Sequence, residues 1–283
     1  MADTLHRFMF ENGSARGVLV QLESSWQEVL ARHHYPPPVR DLLGQLLAAA
    51  ALLGNNLKAA GRVIVELRGD GPLRLLVADN RAGHAVRALA RWSEPLRGNE
   101  WHELLGSGRL VITLDPRGDG QRYQGIVALL PEGLTATLED YFSSSEQLPG
   151  RIVLATDGRR AAGLLLQRLP GQTDPHNWEY LALLAATARA RELLELSPEQ
   201  VIGRLFVDQD VRLLATQAVE FACSCSVARV ESTLRALGRA EIESLLEERG
   251  AIDVDCEFCN QHYHFDRAGV DGLLDNMASG LIH

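Results

Sequence analysis

The hydrophobic residues in the first part of the chain fall into short runs separated by turn residues, which is the pattern of β-strands. Two such runs flank Asn12-Gly13 within residues 5–22 and predict a hairpin. Six more follow: "RVIVEL", "LRLLVAD", "AVRALARW", "RLVITLD", "RYQGIVALL" and "RIVLATD". Because turn sequences such as "RGDGP" and "NRAGH" separate the earlier runs, the pattern favours an antiparallel meander over βαβ units.

Helical patterns interrupt these strands at three places. Ser25 and Glu28 have the spacing of a capping box, which predicts a short helix from Trp26 that stops at "YPPPV". Residues 39–57 combine helical apolar spacing with many alanines and predict a buried helix. Residues 134–149, "LTATLEDYFSSSEQLP", predict a further helix closed by the proline. Strands and helices together predict an α+β fold whose N-terminal core is an antiparallel sheet with helices.

The pattern becomes helical after this core, which we place at residues 1–171. Asp174 is the predicted N-cap with Pro175 in the first helical position, and the predicted helix continues through "ARELLEL". Residues 197–200, "SPEQ", repeat the capping pattern before a second helix, whereas "VRLLATQAVEF" fits either a strand or a helix. Residues 172–222 are therefore predicted to form a helical linker.

The predicted linker carries many apolar side chains for its length. Short helices gain most of their stability by packing an apolar face on another element. The linker is therefore either part of a core or a metastable segment whose docking can be undone. The apolar residues in question are Trp178, Tyr180, Leu181, Leu184, Leu193, Leu194, Leu196 and Phe206.

Residues 223–283 form a third, acidic region with eleven acidic residues and five arginines. "LRALGRAEIESLLEERG" predicts helix with a break near Gly238 and an end at Gly250, which suits the C′ position. "IDVD" and "HYHF" are short alternating stretches on either side of a Cys-x-x-Cys sequence. This layout predicts a small hairpin whose turn carries two cysteines.

Composition excludes several classes of function. The chain has 283 residues, a net charge of −9 and a pI of about 5.5, which argues against nucleic acid as the main partner. Its longest apolar run, residues 46–54, is far shorter than the roughly 20 residues of a membrane span. The N-terminus lacks the layout of a secretion signal, so we expect a cytoplasmic protein. The single lysine, Lys58, lies outside any Gly-Lys-Ser/Thr sequence, so a P-loop ATP site is not expected.

All four cysteines lie in two close pairs in the acidic region: Cys223 with Cys225, and Cys256 with Cys259. Cytoplasmic thiols are kept reduced, so clustered cysteines there are usually metal ligands or redox-active groups. Two close pairs separated by a helical insertion can converge on one tetrahedral ion. The spacing therefore predicts a Cys₄ site for one zinc ion in a small zinc-binding domain, residues 223–283.

Three other interpretations of the cysteines remain open at this point. The cysteines can be unrelated core residues, although their arrangement in two close pairs argues against this. The Cys-x-x-Cys sequence can be a thioredoxin-type dithiol, although the βαβ context of such a dithiol is missing. His262 or His264, which share one face of the predicted strand, can replace a cysteine as ligand; we favour surface positions or positions behind the ligands for both.

Enzyme chemistry finds little support. The His-x-Glu sequence of zinc deaminases does not occur in the chain. Residues 102–106, "HELLG", begin like a zinc-protease helix but have glycine where the second histidine is required. Asp70, Glu139 and Asp140 lie in turn or helix contexts typical of solvated or capping groups. We therefore predict that the protein is not an enzyme.

The Cys-x-Cys pair suggests sensitivity to oxidants. A disulfide between residues i and i+2 closes a very small ring, which is strained and easily reduced. Zinc-bound thiolates carry no proton, which favours their attack on peroxide or hypochlorous acid. Oxidation removes the ligands and with them the folding free energy that the metal supplies. Such a site would unfold its own domain when it is oxidised.

Several strings together resemble the redox-regulated thirty-three-kilodalton heat-shock chaperonin family: "FACSCS", "DCEFCNQHYHF", "RYQGIVAL", "LEDYFSSSEQLP" and "YPPPV". The resemblance covers nearly the whole chain. It implies an ATP-independent holdase that is inactive when reduced, with one zinc ion on the four cysteines. It implies further that oxidation forms Cys223–Cys225 and Cys256–Cys259 disulfides, releases zinc and unfolds the zinc domain and linker. The oxidised protein is then expected to form a homodimer and bind unfolding client proteins.

One residue departs from the pattern of that family, because His264 stands where an apolar residue is expected. The main alternative function is a zinc-ribbon adaptor that binds nucleic acid or a transcription partner. The acidity of residues 223–283 argues against nucleic acid, since phosphate contacts need clustered arginine and lysine. A zinc hydrolase would need an open coordination position, which four sulfur ligands do not leave.

Overall fold

The chain divides into two units, Met1–Ala222 and Cys223–His283, which are described separately. The computed structural model describes residues 3–56, 60–96, 98–116, 120–171 and 175–279.

The first unit contains two sheets. Its strands are β1 (Thr4–Phe10), β2 (Ala15–Leu22), β3 (Ala60–Gly69), β4 (Leu73–Arg81), β5 (Ala85–Trp92), β6 (Gly108–Pro116), β7 (Tyr123–Ala128), β8 (Gly150–Thr156), β9 (Ala161–Arg168), β10 (Val211–Ala218) and β11 (Glu220–Phe221). One sheet has the order β10-β1-β2-β9-β8 and the other β11-β5-β4-β3-β6-β7. All described pairings in the two sheets are antiparallel except the short β11–β5 pair. The predicted β1–β2 hairpin and the β3–β4–β5 meander are confirmed.

Seven helices are described in the first unit. They are α1 (Ser24–Leu30), α2 (Pro37–Asn56), α3 (Trp101–Leu105), α4 (Leu134–Ser144), α5 (Pro175–Ala186), α6 (Ala190–Glu195) and α7 (Pro198–Leu205). The predicted buried helix is α2, which packs against strands of both sheets. Its small alanine side chains at residues 48–51 are fully buried, and a Cβ on Gly44 would lie 2.4 Å from the hydroxyl oxygen of Thr156. Small residues thus allow two sheets to approach one helix.

The predicted capping box of α1 is wrong. The helix begins at Ser24, and no side chain of Ser25 caps it. Instead, the buried carboxylate of Asp3 accepts hydrogen bonds from the backbone N–H groups of Glu23, Ser24 and Ser25 at 2.6, 2.9 and 2.6 Å. The Asp3 carboxylate, which lies just before β1, therefore takes the place of a local capping side chain. Its negative charge also complements the positive N-terminal end of the helix dipole.

Other predicted boundaries need correction. The helix predicted to continue through residue 196 is two helices, α5 and α6. The side chain of Glu192 accepts a hydrogen bond from the backbone N–H of Arg189 and so caps the start of α6. Helix α4 ends at Ser144, before the proline that was expected to close it. The predicted cap at Asp174 and the boundary between residues 171 and 172 fall on residues outside the described ranges. In contrast, the capping box of α7 is confirmed, with Ser197 as N-cap.

The second unit is small and has its own apolar cluster. Its elements are α8 (Val227–Leu237), α9 (Arg239–Arg249), β12 (Ile252–Asp255), β13 (His262–Phe265) and α10 (Arg267–Ser279). The predicted helix break at Gly238, the left-handed C-cap at Gly250 and the hairpin are all confirmed. Seven buried apolar residues make up its core: Leu234, Ile242, Leu246, Ile252, Phe265, Val270 and Leu274. Such a short core supplies little stability by itself.

The predicted fold class, α+β with an antiparallel-sheet core and a small C-terminal domain suited to zinc, is confirmed. Over the described part of the chain, every helix is too short or too polar to cross a lipid bilayer.

Candidate metal centre

The structure brings the four cysteine sulfurs of the second unit together. The Sγ atoms of Cys223, Cys225, Cys256 and Cys259 all lie within 4.8 Å of one another, and the four residues are free thiols. The Sγ atoms of Cys223 and Cys256 are 3.6 Å apart, and those of Cys225 and Cys259 are 3.3 Å apart. Both of these contacts join cysteines of different sequence pairs.

The β12–β13 hairpin positions Cys256 and Cys259. The N–H of Cys256 donates to the carbonyl of Gln261 at 3.0 Å, which closes the hairpin. The carbonyl of Cys256 accepts from the N–H groups of Cys259 and Asn260 at 3.2 and 2.7 Å. Asn260 has a φ of 57°, a left-handed conformation that asparagine tolerates. This tight turn directs both sulfurs to one side.

The start of α8 positions the other pair. Ser226 is the N-cap, and its hydroxyl accepts from the N–H of Arg229 at 3.3 Å. The guanidinium of Arg229 in turn donates to the carbonyl and the hydroxyl of Ser224 at 3.1 and 2.6 Å. Ser224 separates the two cysteines, so these bonds hold the Cys-x-Cys segment in place beside the helix.

The sulfurs are in a partly desolvated environment. Burial raises the pKa of the Cys256 thiol, and burial likewise raises the pKa of Cys259. A hydrogen bond to the sulfur of Cys225 raises the pKa of Tyr263 to about 12. Burial therefore favours the protonated thiols of Cys256 and Cys259, and a cation bound to these two sulfurs would displace the protons.

The geometry of the four sulfurs fits zinc. Zinc–sulfur bonds of about 2.3 Å in a tetrahedron place the sulfurs about 3.8 Å apart. The observed separations of 3.6 and 3.3 Å are slightly shorter and require only small displacements. Zinc ligation by these four residues stays a prediction, as do the two disulfide pairs.

The two histidines near the hairpin turn are held by carboxylates. His262 Nδ1 lies 2.8 Å from the carboxylate of Asp255, and His264 Nδ1 lies 2.7 Å from that of Asp253. The hydrogen bond to Asp255 is the main cause that raises the pKa of His262. Both imidazoles are more than half exposed and belong to a separate cluster from the sulfurs.

Two of the acidic residues considered as catalytic candidates, Glu139 and Asp70, make structural contacts. The carboxylate of Glu139 pairs with Arg151 at 3.0 Å and accepts from the N–H of Ile152 at 2.9 Å. The N–H of Asp70 donates to the carbonyl of Leu105, at the end of the short "HELLG" helix. These contacts tie loops to strands and helices.

The apolar residues of the predicted linker lie in the first unit and cover one face of the β10-β1-β2-β9-β8 sheet. Phe8, Phe10, Leu19, Leu164 and Leu166 of that sheet are buried. Buried residues of α5, α6 and α7, and Phe206 directly after α7, form one cluster with them: Leu181, Ala185, Leu193, Leu194, Val201, Ile202, Leu205 and Phe206. Tyr180 remains exposed, and Trp178, Leu184 and Leu196 are partly buried. The linker is thus part of a core in this structure.

Polar contacts also hold α6 to this sheet. The side-chain amide of Gln21 donates to the carbonyls of Leu193 and Leu196 at 2.7 and 2.8 Å. The guanidinium of Arg160 donates to the carbonyl of Leu194 at 2.7 Å. These bonds satisfy carbonyls at the C-terminal end of α6.

Replacing Gln21 by alanine should weaken the docking of α6. Loss of two hydrogen bonds to partly buried carbonyls is expected to cost about 1–3 kcal/mol of local stability. Hydrogen exchange of the amides of α6 and α7 in the reduced protein should then accelerate, with little change in α2. Gln27→Ala is a suitable control, since that amide bonds to the exposed loop carbonyls of Gly158 and Arg159. Equal exchange in both variants would contradict the role assigned to Gln21.

Three comparisons with known proteins agree. The family model described as Hsp33 protein matches residues 3–266. The 33 kDa chaperonin of Shewanella woodyi is 48% identical over 277 residues, which is 97% of this chain and 96% of that protein. The chain belongs to the Hsp33 family. The Hsp33 relative from Nitrosococcus oceani, also a 33 kDa chaperonin, is 47% identical over 273 residues, covering 96% of this chain and 94% of the relative.

A solved Hsp33 structure shows the same fold. The crystal structure of the 33 kDa chaperonin from Thermotoga maritima has a TM-score of 0.86 and 22% sequence identity, covering 99% of this chain and 100% of that one. The family model and the two relatives confirm the family resemblance inferred from the sequence motifs. The Hsp33 family is a family of chaperones and not an enzyme class, in line with the prediction from the sequence.

Proposed function

We propose that this Hsp33-family chain is an ATP-independent holdase, switched on by oxidation of its four cysteines. In the reduced form Cys223, Cys225, Cys256 and Cys259 hold one zinc ion, and the protein is inactive. Oxidant forms the Cys223–Cys225 and Cys256–Cys259 disulfides and releases zinc. The second unit then unfolds, the linker leaves the sheet, and the cytoplasmic protein dimerises and binds unfolding clients.

The convergence of four free thiols within 4.8 Å in a small unit carries this proposal. Bound zinc would supply the tetrahedral link between the hairpin and the start of α8. The turn at Cys256–Cys259 and the contacts of Arg229 orient the four sulfurs, and burial raises the pKa of Cys256 and Cys259, so that a bound cation would favour their thiolates. Each disulfide removes two ligands, so the link is lost with the metal.

The position of the linker in the chain supports coupling between metal loss and client binding. Strand β11 ends at Phe221, and Cys223 follows after a single residue. Within residues 175–221, helices α5 to α7 and Phe206 cover a sheet face that carries two phenylalanines and several leucines. Undocking of this segment would expose apolar surface on both the sheet and the helices. Exposed apolar surface of this extent is the property that a binder of unfolded chains requires.

Aggregation of a thermally unfolding client protein, followed by light scattering, tests the proposal. Reduced zinc-loaded protein should leave aggregation unchanged, whereas protein treated with peroxide at elevated temperature should suppress it. Suppression should not depend on ATP, and it should disappear after reduction with dithiothreitol in the presence of zinc. No suppression in either state, or equal suppression in both, would refute the proposed function.

A further inference from the structure

The exposed face of the β12–β13 hairpin carries four polar side chains that can bind metals: Asp253, Asp255, His262 and His264. Alternate residues of a strand point to opposite faces, and here Ile252 and Phe265 point into the apolar core of the second unit. The four polar residues lie on the other face and are exposed.

The strand register places each histidine opposite an aspartate. Asp253 pairs with His264, and Asp255 pairs with His262. Side chains directly opposite on antiparallel strands have Cβ atoms only about 5 Å apart. The Oδ1 atom of Asp253 lies 2.7 Å from His264 Nδ1 and 3.2 Å from His262 Nε2. One carboxylate oxygen therefore stands between two imidazole rings.

We propose that Asp253, His262 and His264 form a second metal site, which takes a divalent transition metal of the zinc class. Ligand atoms from these three residues lie within 4.8 Å of one another. Two donors on one tetrahedral zinc ion are about 3.3 Å apart. The 3.2 Å between Asp253 Oδ1 and His262 Nε2 is close to this value and the 2.7 Å between Asp253 Oδ1 and His264 Nδ1 is shorter, so small side-chain displacements would admit an ion.

The donor set selects the kind of metal. Two imidazoles and one carboxylate suit zinc, copper or nickel, whereas calcium and magnesium prefer oxygen ligands throughout. Three protein ligands leave a fourth position for water, as in open zinc sites. The site is also more than half exposed, so we expect a bound ion to exchange more readily than one held by four sulfurs.

Asp255 supplies a further feature of a metal site. Its carboxylate lies 2.8 Å from His262 Nδ1, which directs the Nε2 atom of that ring towards Asp253. Histidines that bind metals almost always donate their other ring N–H to a carboxylate or carbonyl. Asp255 is therefore a positioning residue in this proposal and not a ligand.

This second metal site requires that β12 and β13 are paired. It does not require any of the redox steps proposed above. An ion bound by residues of both strands, Asp253 on β12 and the histidines on β13, binds only when the strands are paired. By mass action it would stabilise the paired hairpin. Zinc in excess of one equivalent should then raise the thermal midpoint of the second unit.

Titration of zinc chloride into the reduced full-length protein, already loaded with one zinc, tests the site. Calorimetry should detect a second equivalent, and the ring signals of His262 and His264 should shift together in NMR spectra. The double variant His262→Gln/His264→Gln should bind this second equivalent at least tenfold more weakly and keep the first. His176→Gln, which removes an exposed imidazole from α5, should behave like the wild type.

Two results would overturn the inference: a double variant that binds the second equivalent as tightly as the wild type, or no second binding event at millimolar zinc. In either case the cluster would consist of imidazole–carboxylate pairs alone. If the double variant fails to fold, the single variants Asp253→Asn and His264→Gln give the same comparison. Metal analysis of the first equivalent is independent of this result, so the sulfur site is tested separately.

Discussion

Replacing Cys256 by serine is expected to abolish tight zinc binding and unfold the second unit. A structural zinc contributes about 10–16 kcal/mol of apparent binding free energy, and a serine hydroxyl is a poor substitute for a thiolate. The seven-residue core of this unit is too small to compensate. Metal analysis after gel filtration should therefore find less than one zinc per chain. Hydrogen exchange should show loss of protection in α8 to α10.

In this variant the first unit should keep its hydrogen-exchange protection, except in helices α5 to α7, which cover one sheet face. Helix α2 lies in a separate core and should retain its protection. Glu257→Gln is a matched control, because it changes a side chain in the same turn and removes no sulfur. The prediction would be wrong if Cys256→Ser kept one tightly bound zinc and normal protection in the second unit.

Replacing Phe206 by alanine is expected to release the linker without any oxidant. Phe206 is 2% exposed, and the centroid of its ring lies 5.8 Å from the ring centroid of Phe8 and 5.1 Å from that of Phe10. Truncation of a buried phenylalanine costs about 3–5 kcal/mol, which shifts an opening equilibrium by roughly two to four orders of magnitude. Limited proteolysis of the reduced, zinc-loaded variant should therefore cut within residues 175–221 much faster than in the wild type.

The adjacent residue provides the control for this experiment. Val207 is 75% exposed, so Val207→Ala removes a side chain from the same segment without opening the core. Mass spectrometry of the fragments locates the cuts, and intact α2 distinguishes local release from global unfolding. Equal cleavage rates for the two variants would mean that the Phe206 contacts do not hold the linker.

The two variants separate the parts of the proposed switch. Cys256→Ser acts on the second unit, whereas Phe206→Ala acts on the covering helices of the first. If loss of zinc is what releases the linker, both variants should expose the same sites to protease and both should suppress aggregation in the reduced state. A Cys256→Ser protein with a protected linker would show that the two units unfold independently.

Several features were predictable because their causes are local in the chain. Asn12-Gly13 encodes a hairpin through turn geometry, and Ser197 with Gln200 encodes a helix start through reciprocal caps. The Cys-x-x-Cys turn between two alternating stretches likewise predicted the hairpin that now carries Cys256 and Cys259. The spacing of the four cysteines is distinctive, and it was the main sequence feature that indicated the Hsp33 family.

Other features depended on partners far away in the chain. Strand β9 was missed because both its faces are buried, so "AAGLLLQR" lacks the alternation of a half-exposed strand. The sequence pattern of residues 211–218 fits a helix and a strand equally well. Pairing with β1 at the edge of the sheet makes this segment strand β10. The cap of α1 came from Asp3, which no local spacing rule connects with that helix.

The sequence by itself determined the family, the fold class and the set of four thiols, because spacing, periodicity and turn chemistry act over a few residues. Only the tertiary structure decided where the apolar linker lies. Its leucines and Phe206 cover one sheet face, and burial depends on which surfaces meet in three dimensions. The same is true of Asp253, His262 and His264, whose proximity results from the register of two strands.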